Sequence, residues 1–86
     1  MKEILWDPLK NERLKKARGV SFEELTGGKL IDIKDHPGRN NQKLMLIDYK
    51  GYIWLVPFVE TEKARFLKTL YPSRRYTKLY REGKII

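Results

Sequence analysis

The stretch "KLMLIDYKGYIWLVPFV" (residues 43–59) contains the longest apolar run of the chain, Tyr52 to Val59. Two apolar segments flank Lys50-Gly51, a pair typical of a tight turn, so we predict a β-hairpin. The second segment is apolar on both faces, which predicts a strand in the centre of a sheet. Pro57 cannot donate a backbone hydrogen bond, and we therefore expect a bulge or a bend there.

Two helices are predicted before this hairpin, preceded by a short strand. The first helix should begin at Asp7-Pro8, since aspartate caps free amides and proline is tolerated at the first helical position. It should run to about Arg18 and end at Gly19. In "VSFEELTGG" (residues 20–28), Ser21 and Glu24 match a capping box, and the two glycines end the second helix.

Further strands and a last helix complete the pattern. "KLIDI" (residues 29–33) and "ARFLKTLY" (residues 64–71) are predicted strands, and Ser73 should cap a helix that ends at Gly83. The order is β-α-α-β-β-β-β-α. It predicts one α+β domain over residues 1–86, a small antiparallel β-sheet with two N-terminal helices and one C-terminal helix, all packed on one face.

Positive charge is concentrated in the last quarter of the chain. The net charge is +8; residues 1–62 carry eleven Lys and Arg against ten acidic residues, whereas residues 63–86 carry eight against Glu82 alone. Such a concentrated basic surface suits a nucleic acid or an acidic protein partner. A plain solubility surface is the other interpretation, although it rarely separates charge so sharply.

Several classes of chemistry lack any sequence signal. The chain has no cysteine, which excludes disulfides, thiolate metal sites and thiol nucleophiles. It has no glycine-rich phosphate loop, no HExxH motif and a single histidine, so we expect no metal and no other cofactor. The longest apolar run is far below the roughly 20 residues of a membrane-spanning helix, and no leader pattern opens the chain. We therefore expect a soluble cytoplasmic protein that has no membrane partner.

The remaining candidates for chemistry are cationic or aromatic. Metal-free cleavage of RNA needs a base for the 2′-hydroxyl proton, an acid for the leaving oxygen, and cations that stabilise the phosphorane. We assign charge stabilisation to Arg74 and Lys68, and proton transfer to Tyr71 or His36. Contacts with the nucleic-acid backbone are assigned to four further cations: Arg75, Lys78, Arg39 and Arg18.

Each of these assignments has a structural alternative. Lys68 could face open solvent rather than a groove, Tyr71 could be a packing residue, and His36 could be an ordinary exposed loop histidine. Arg74 and Arg75, by contrast, lie at a predicted helix start, where their charge opposes the helix dipole. A bound phosphate would reverse that cost, because helix N-termini and arginine side chains both bind anions.

Together these residues resemble a known family. The segments "LWDPLKNERLKKARGVSFEEL" (residues 5–25) and "KTLYPSRRYTKLY" (residues 68–80) are similar to the BrnT-type toxins of type II toxin–antitoxin systems, within the RelE-like ribonuclease superfamily. The likeness is strongest at Trp6-Asp7-Pro8, Lys10-Asn11, Gly19 to Glu24, and Ser73-Arg74. Arg18 stands where BrnT-like chains typically carry a histidine, and Tyr71 to Arg74 stand where they usually show Ser-Ala-Arg.

The resemblance implies a RelE-like fold and a ribonuclease toxin that cleaves messenger RNA, free or on the ribosome, and so inhibits translation. It also implies a cognate antitoxin of ribbon-helix-helix type that holds the toxin inactive. From the residues alone, two other functions stay open. One is a non-catalytic nucleic-acid-binding module, and the other is an interaction domain whose basic tail binds an acidic protein.

Overall fold

The computed structural model describes residues 2–84, which form one mixed sheet and three helices. The elements are β1 (Glu3–Trp6), α1 (Pro8–Arg18), α2 (Phe22–Thr26), β2 (Lys29–Asp35), β3 (Lys43–Tyr49), β4 (Tyr52–Glu60), β5 (Ala64–Leu67), β6 (Tyr71–Pro72) and α3 (Arg74–Arg81). The strands lie in the order β1-β5-β4-β3-β2, and β6 pairs with β4. The predicted α+β fold class is confirmed, with one strand more than expected.

The predicted hairpin is formed by β3 and β4. Lys50 and Gly51 both have positive φ, 54° and 81°, as a two-residue type I′ turn requires. The Asp48 carboxylate accepts a hydrogen bond from the Gly51 amide at 3.0 Å. Because β4 pairs with β3 on one side and with β5 and β6 on the other, its predicted central position is confirmed.

The segment predicted as one strand, residues 64–71, is divided into β5 and β6 at the point where it lies opposite Pro57 of β4. Residues 56 and 57 of β4 face three residues of the outer strand, 68–70, and the ladder is interrupted there. The Lys68 amide donates to the Pro57 carbonyl at 2.8 Å, but proline has no N–H to return a bond. The bulge predicted at Pro57 is therefore confirmed, and it separates β5 from β6.

Helices cover both faces of the sheet, which corrects the prediction that all helices pack on one face. On the first face, here called the helix-pair face, α1 and α2 cover a buried cluster: Val20, Phe22, Leu25, Met45, Ile47, Trp54, Val56, Phe58, Leu67 and Leu70. On the second, the α3 face, Tyr76 and Tyr80 of α3 pack over Leu44, Leu46, Ile53 and Leu55. Since β3 and β4 are apolar on both sides, one layer of helices could not bury them.

The sheet is mixed rather than fully antiparallel. β1 runs parallel to β5, with Trp6 opposite Leu67, whereas every other pairing is antiparallel within residues 2–84. The Trp6 ring lies 5.7 Å from the Phe22 ring, between centroids, under α2. β1 is therefore an edge strand beside β5. This pairing joins segments far apart in the chain, and the local sequence pattern does not predict it.

The predicted starts and ends of α1 and α2 are confirmed. Asp7 caps α1 through the Leu9 amide, Gly19 ends it at φ 78°, and Ser21 with Glu24 forms the expected capping box. Asn11, which the sequence analysis did not single out as a core residue, is buried and accepts a hydrogen bond from the Phe22 amide at 2.8 Å. Within the described range, none of the three helices has the length and apolarity needed to span a membrane.

The helix α3 is joined to β4 by polar contacts at its first turn. The Ile53 carbonyl accepts from the Ser73 amide at 2.9 Å, and the Ile53 amide donates to the Thr77 hydroxyl at 2.8 Å. That hydroxyl donates in turn to the Ser73 carbonyl at 2.7 Å. Ser73 also caps the helix through the Tyr76 amide at 3.1 Å, as predicted. These bonds hold the basic helix at a defined place on the sheet.

We expect Thr77→Val to destabilise the protein by about 1–3 kcal/mol, because the Ile53 amide would stay buried without an acceptor. Urea unfolding followed by circular dichroism measures the difference. The control is Thr26→Val, whose hydroxyl bonds the Glu23 carbonyl at an exposed helix end; it should change the free energy of unfolding by less than about 0.5 kcal/mol. Equal stability of Thr77→Val and the wild type would contradict this account of how α3 is held.

Candidate nucleic-acid interface

Three cations of α3 surround one cavity at the hairpin end of the sheet. Arg74, Lys78 and Arg81 recur at helical spacing and, together with Tyr52, line a cavity of about 320 Å³. All three cations are exposed, and Arg81 donates a hydrogen bond to the Gly51 carbonyl at 3.2 Å. The cavity thus presents three positive side chains and one aromatic ring to solvent, a combination that suits a phosphate-bearing ligand.

These cations have no carboxylate partner among residues 2–84. The ion pairs of the described chain use other basic residues: Lys2, Lys15, Lys34, Lys43, Arg65 and Lys84. Glu82, which also lines the cavity, pairs with Lys84 at 3.5 Å. The charge of Arg74, Arg75 and Lys78 therefore remains available to an external anion.

The acidic residues that do form strong contacts lie on the helix-pair face or at its rim. Glu24 accepts hydrogen bonds from the Lys15 ammonium and the Tyr49 hydroxyl, and these bonds lower its pKa to about 2. The guanidinium of Arg65 and the ammonium of Lys2, 2.9 Å and 3.1 Å from the carboxylate, lower the pKa of Glu60. Glu24 and Glu60 thus pair with basic residues outside α3, and neither carboxylate neutralises a cation of that helix.

Lys68 and Tyr71 lie together on the α3 face of the sheet. The Lys68 ammonium is 5.3 Å from the centroid of the Phe66 ring, and Tyr71 packs against the core beneath α3. Their partners on β4, Pro57 and Leu55, are two residues apart, which is about 7 Å along a strand. The structure therefore brings these two predicted site residues together. Tyr71 is half-buried, so it also contributes to packing.

Arg74 is separated from Lys68. Arg74 lines the cavity beside Tyr52, whereas Lys68 bonds Pro57, and five residues of β4 span about 17 Å. Arg75 lies at the start of the same helix, with its guanidinium 5.7 Å from the Tyr76 ring. A single RNA strand could contact Lys68 and Arg74 only by running along β4 and over the first turn of α3.

His36 and Arg39 occupy the loop between β2 and β3. The His36 Nδ1 accepts a hydrogen bond from the Gly38 amide at 3.0 Å. A neutral ring in this state carries its proton on Nε2 and offers a donor, not an acceptor, to a ligand. Strand β2 lies three strand spacings from β5, about 14 Å, so His36 is not brought next to Lys68. Arg39 is exposed beside it.

Arg18 is not brought to this surface. It is the exposed last residue of α1, and α1 packs on the helix-pair face, so the sheet lies between Arg18 and Lys68. Three further residues of the interface were not predicted from the sequence: Tyr52, Phe66 and Arg81. Arg81 follows Arg74 by seven residues, or two helical turns, and Phe66 precedes Lys68 by two residues within the predicted strand 64–71. Both spacings could have identified them.

Comparison with solved structures supports the fold described above, whereas comparison of sequences gives no match. No protein-family model matches the chain, and no curated protein matches its sequence. Among solved structures, the 1.1 Å crystal structure of the Brucella abortus ribonuclease toxin BrnT superposes with a TM-score of 0.59 over 85% of this chain and 97% of that one. The chain has the BrnT fold. At 18% identity the match confirms the predicted resemblance to BrnT for the fold, and site residues cannot be carried over from it.

The lowered pKa of Glu24 predicts a specific acid sensitivity. A carboxylate whose pKa falls on folding stabilises the native state above its ordinary pKa of 4.5, and this contribution is lost as the pH falls toward about 2. The free energy of unfolding of the wild type should therefore fall between pH 4.5 and pH 2. Glu24→Gln should be less stable at pH 7 and should lose less stability over that window, as measured by urea unfolding.

The matched control for this test is Glu12→Gln. Glu12 is exposed on α1 and has no ion pair within residues 2–84, so this variant should keep the pH dependence of the wild type. Parallel stability curves for Glu24→Gln and the wild type would show that the contacts of Glu24 with Lys15 and Tyr49 do not contribute to the acid dependence.

Proposed function

We propose that this chain is the toxin of a bacterial type II toxin–antitoxin pair, a metal-independent endoribonuclease that cleaves messenger RNA and inhibits translation. The observation that supports it most is the row of cations on the α3 face, from Lys68 to Arg81, that have no acidic partner within the described chain. These cations lie on a fold shared with a ribonuclease toxin. A cytoplasmic location follows from the substrate.

In the proposed reaction the RNA supplies its own nucleophile. The 2′-oxygen forms a bond to phosphorus as its proton passes to a base, and the bond from phosphorus to the 5′-oxygen breaks as that oxygen takes a proton from an acid. The products carry a 2′,3′-cyclic phosphate and a 5′-hydroxyl. No step requires a metal ion, because fixed cations can stabilise the charge that develops on the phosphoryl oxygens.

The positions of the side chains favour particular roles. Lys68 would stabilise the phosphorane, and Tyr71, its neighbour on the same face, is better placed than His36 to transfer a proton there. Arg74 would stabilise charge from the helix side, and Arg75 and Lys78 would hold the RNA backbone. Arg39 would contact only RNA that extends to the loop between β2 and β3, and a contact from Arg18 would need RNA that reaches the helix-pair face.

We expect induction of the wild-type gene to arrest growth, and we expect Lys68→Ala and Arg74→Ala to remove that effect. With purified protein, the rate of RNA cleavage should fall about 100-fold or more for each variant, the usual effect of removing a group that stabilises transition-state charge. Cleavage should persist in EDTA and should stop on RNA whose 2′-hydroxyls are methylated.

Arg13→Ala is the matched control, because Arg13 is exposed on α1, away from the α3 face, and has no ion pair within residues 2–84. It should remain as toxic and as active as the wild type. If Lys68→Ala and Arg74→Ala cleave RNA at the wild-type rate, the assignment of both residues is rejected. If EDTA abolishes cleavage, the metal-independent mechanism is rejected.

The second candidate function is a non-catalytic nucleic-acid-binding module, favoured by the separation of about 17 Å between the Lys68 and Arg74 positions along β4. In that case RNA stays intact during prolonged incubation with the purified protein. Affinity for duplex DNA would fall steeply with salt, with a slope of about 0.9 in log units for each phosphate contacted. Intact RNA together with such a slope would replace the ribonuclease proposal.

The proposed function also requires an antitoxin, and we propose a ribbon-helix-helix protein encoded beside this gene. The unpaired cations of α3 would suit acidic residues of such a partner. Co-expression of that neighbouring protein should restore growth, and the two proteins should co-purify. A toxic chain whose neighbouring genes give neither rescue nor a complex would contradict the toxin–antitoxin assignment and leave the ribonuclease chemistry to be judged separately.

A further inference from the structure

One corner of the α3 face is apolar and uncovered. Leu5 of β1 pairs with Phe66 of β5, and the two residues are 43% and 39% exposed. Their chain neighbours Trp6 and Leu67 point to the other face, into the core beneath α1 and α2. The helix α3 covers the β3 and β4 side chains further along the sheet and leaves the Leu5–Phe66 corner open.

The uncovered area continues onto the central strand. Val59, opposite Phe66 on β4, is half-buried on the same face. The resulting patch, Leu5, Phe66 and Val59, is only three side chains wide. A stable protein–protein interface buries about 800 Å² on each partner, far more than these side chains offer. The patch instead matches the scale of a single planar ring.

Charge beside the patch points to a nucleic acid. The Lys68 ammonium lies 5.3 Å from the centroid of the Phe66 ring and has no carboxylate partner within residues 2–84. Along β4, Phe66 lies opposite Val59 and Tyr71 opposite Leu55, four residues or about 13 Å apart. Lys68 lies between the two rings. Aromatic and cationic side chains thus alternate from the open corner of the sheet to the border of α3, where Tyr71 is half-buried, an alternation typical of proteins that bind single strands.

We infer that the Leu5–Phe66–Val59 patch binds an unpaired base of single-stranded RNA, which stacks on the Phe66 ring as the Lys68 ammonium moves from above that ring to the adjacent phosphate. The inference rests on the RNA substrate of the proposed function and adds a base-binding subsite to it. Stacking of this kind tolerates any base, because every base has an aromatic face. A duplex could not use the subsite, since its bases are stacked within the helix.

The charges around the patch also determine the path of the bound RNA over the protein surface. Glu3 precedes Leu5 by two residues in β1, and its exposed carboxylate lies on the same face of the strand. A phosphate would be repelled there, so the RNA backbone should leave the patch toward Lys68 and α3 rather than past β1. Glu3→Gln is accordingly expected to tighten the binding of single strands.

The test uses a single-stranded oligonucleotide with 2′-O-methyl groups, which the proposed reaction cannot cleave. Phe66→Leu keeps an apolar side chain but removes the ring, and it should weaken binding by about 5- to 150-fold at fixed salt, measured by fluorescence anisotropy. Binding of the corresponding duplex should be unchanged. Leu30→Ala is the matched control, because Leu30 is 49% exposed and pairs with Ile47, a core residue of the helix-pair face.

Phe66→Trp gives a second readout. Its tryptophan emission should change when the single strand binds, whereas the wild-type signal should not, since Trp54 is buried in the core of the helix-pair face and Trp6 packs against that core. Unchanged affinity for Phe66→Leu, an equal loss for the duplex, or a silent Phe66→Trp signal would each overturn the subsite. A loss of antitoxin binding with no loss of RNA binding would overturn it in favour of a protein contact.

Failure of the subsite and failure of the ribonuclease are distinguishable. If the uncleavable strand binds in a Phe66-dependent way but natural RNA stays intact, the subsite stands and the enzymatic proposal falls. If natural RNA is cleaved and the uncleavable strand binds equally well to Phe66→Leu and to the wild type, the subsite alone falls. A wild-type protein that binds no single-stranded RNA overturns both.

Discussion

The two-sided burial of strand β4 is the constraint on which the rest of this structure depends. Trp54, Val56 and Phe58 enter the core of the helix-pair face, while Ile53 and Leu55 enter the core of the α3 face. A strand of this kind is stable only when both faces are covered. A chain of 86 residues has few helices available, so two cover one face and α3 covers the other. Covering the second face is what brings α3, a helix with four basic residues and no acid, onto the sheet.

Pro57 gives the candidate interface its local shape. Its missing amide opens the ladder next to Lys68, and β5 and β6 are therefore separated by a bulge instead of forming one strand. Bulges re-aim side chains, which is one reason that they recur beside functional sites. Here the break leaves Lys68 and Tyr71 on the same face, close to each other, at the border between the open sheet and α3.

The charge asymmetry of the sequence becomes a spatial asymmetry in the fold. Glu24 and Glu60 form their contacts with basic residues outside α3, and the pKa of each carboxyl is lowered as a result. Arg74, Arg75 and Lys78 have no such partner within residues 2–84, and Arg74 and Lys78 line an open cavity. Because α3 carries four basic residues and no acid, it gives the part of the sheet that it covers a positive surface.

Local chemistry was sufficient to predict much of the architecture. The caps at Asp7, Ser21 and Ser73 and the turn at Lys50-Gly51 depend on residues close in sequence, and each is present. The bulge at Pro57 was predicted from a single residue that has no N–H to donate. The +8 charge and its concentration in the last quarter were likewise properties of the sequence alone. So was the resemblance to BrnT, which the comparison of structures confirms for the fold.

Only the tertiary structure decided which face α3 covers, where β1 pairs, and which candidate residues meet. Lys68 and Tyr71 lie together, whereas His36 is three strands away and Arg18 is on the opposite face. The physical reason is the same in each case. A capping bond or a turn depends on a few neighbouring residues, but strand pairing and the choice of face depend on contacts between segments far apart in the chain, which no local pattern specifies.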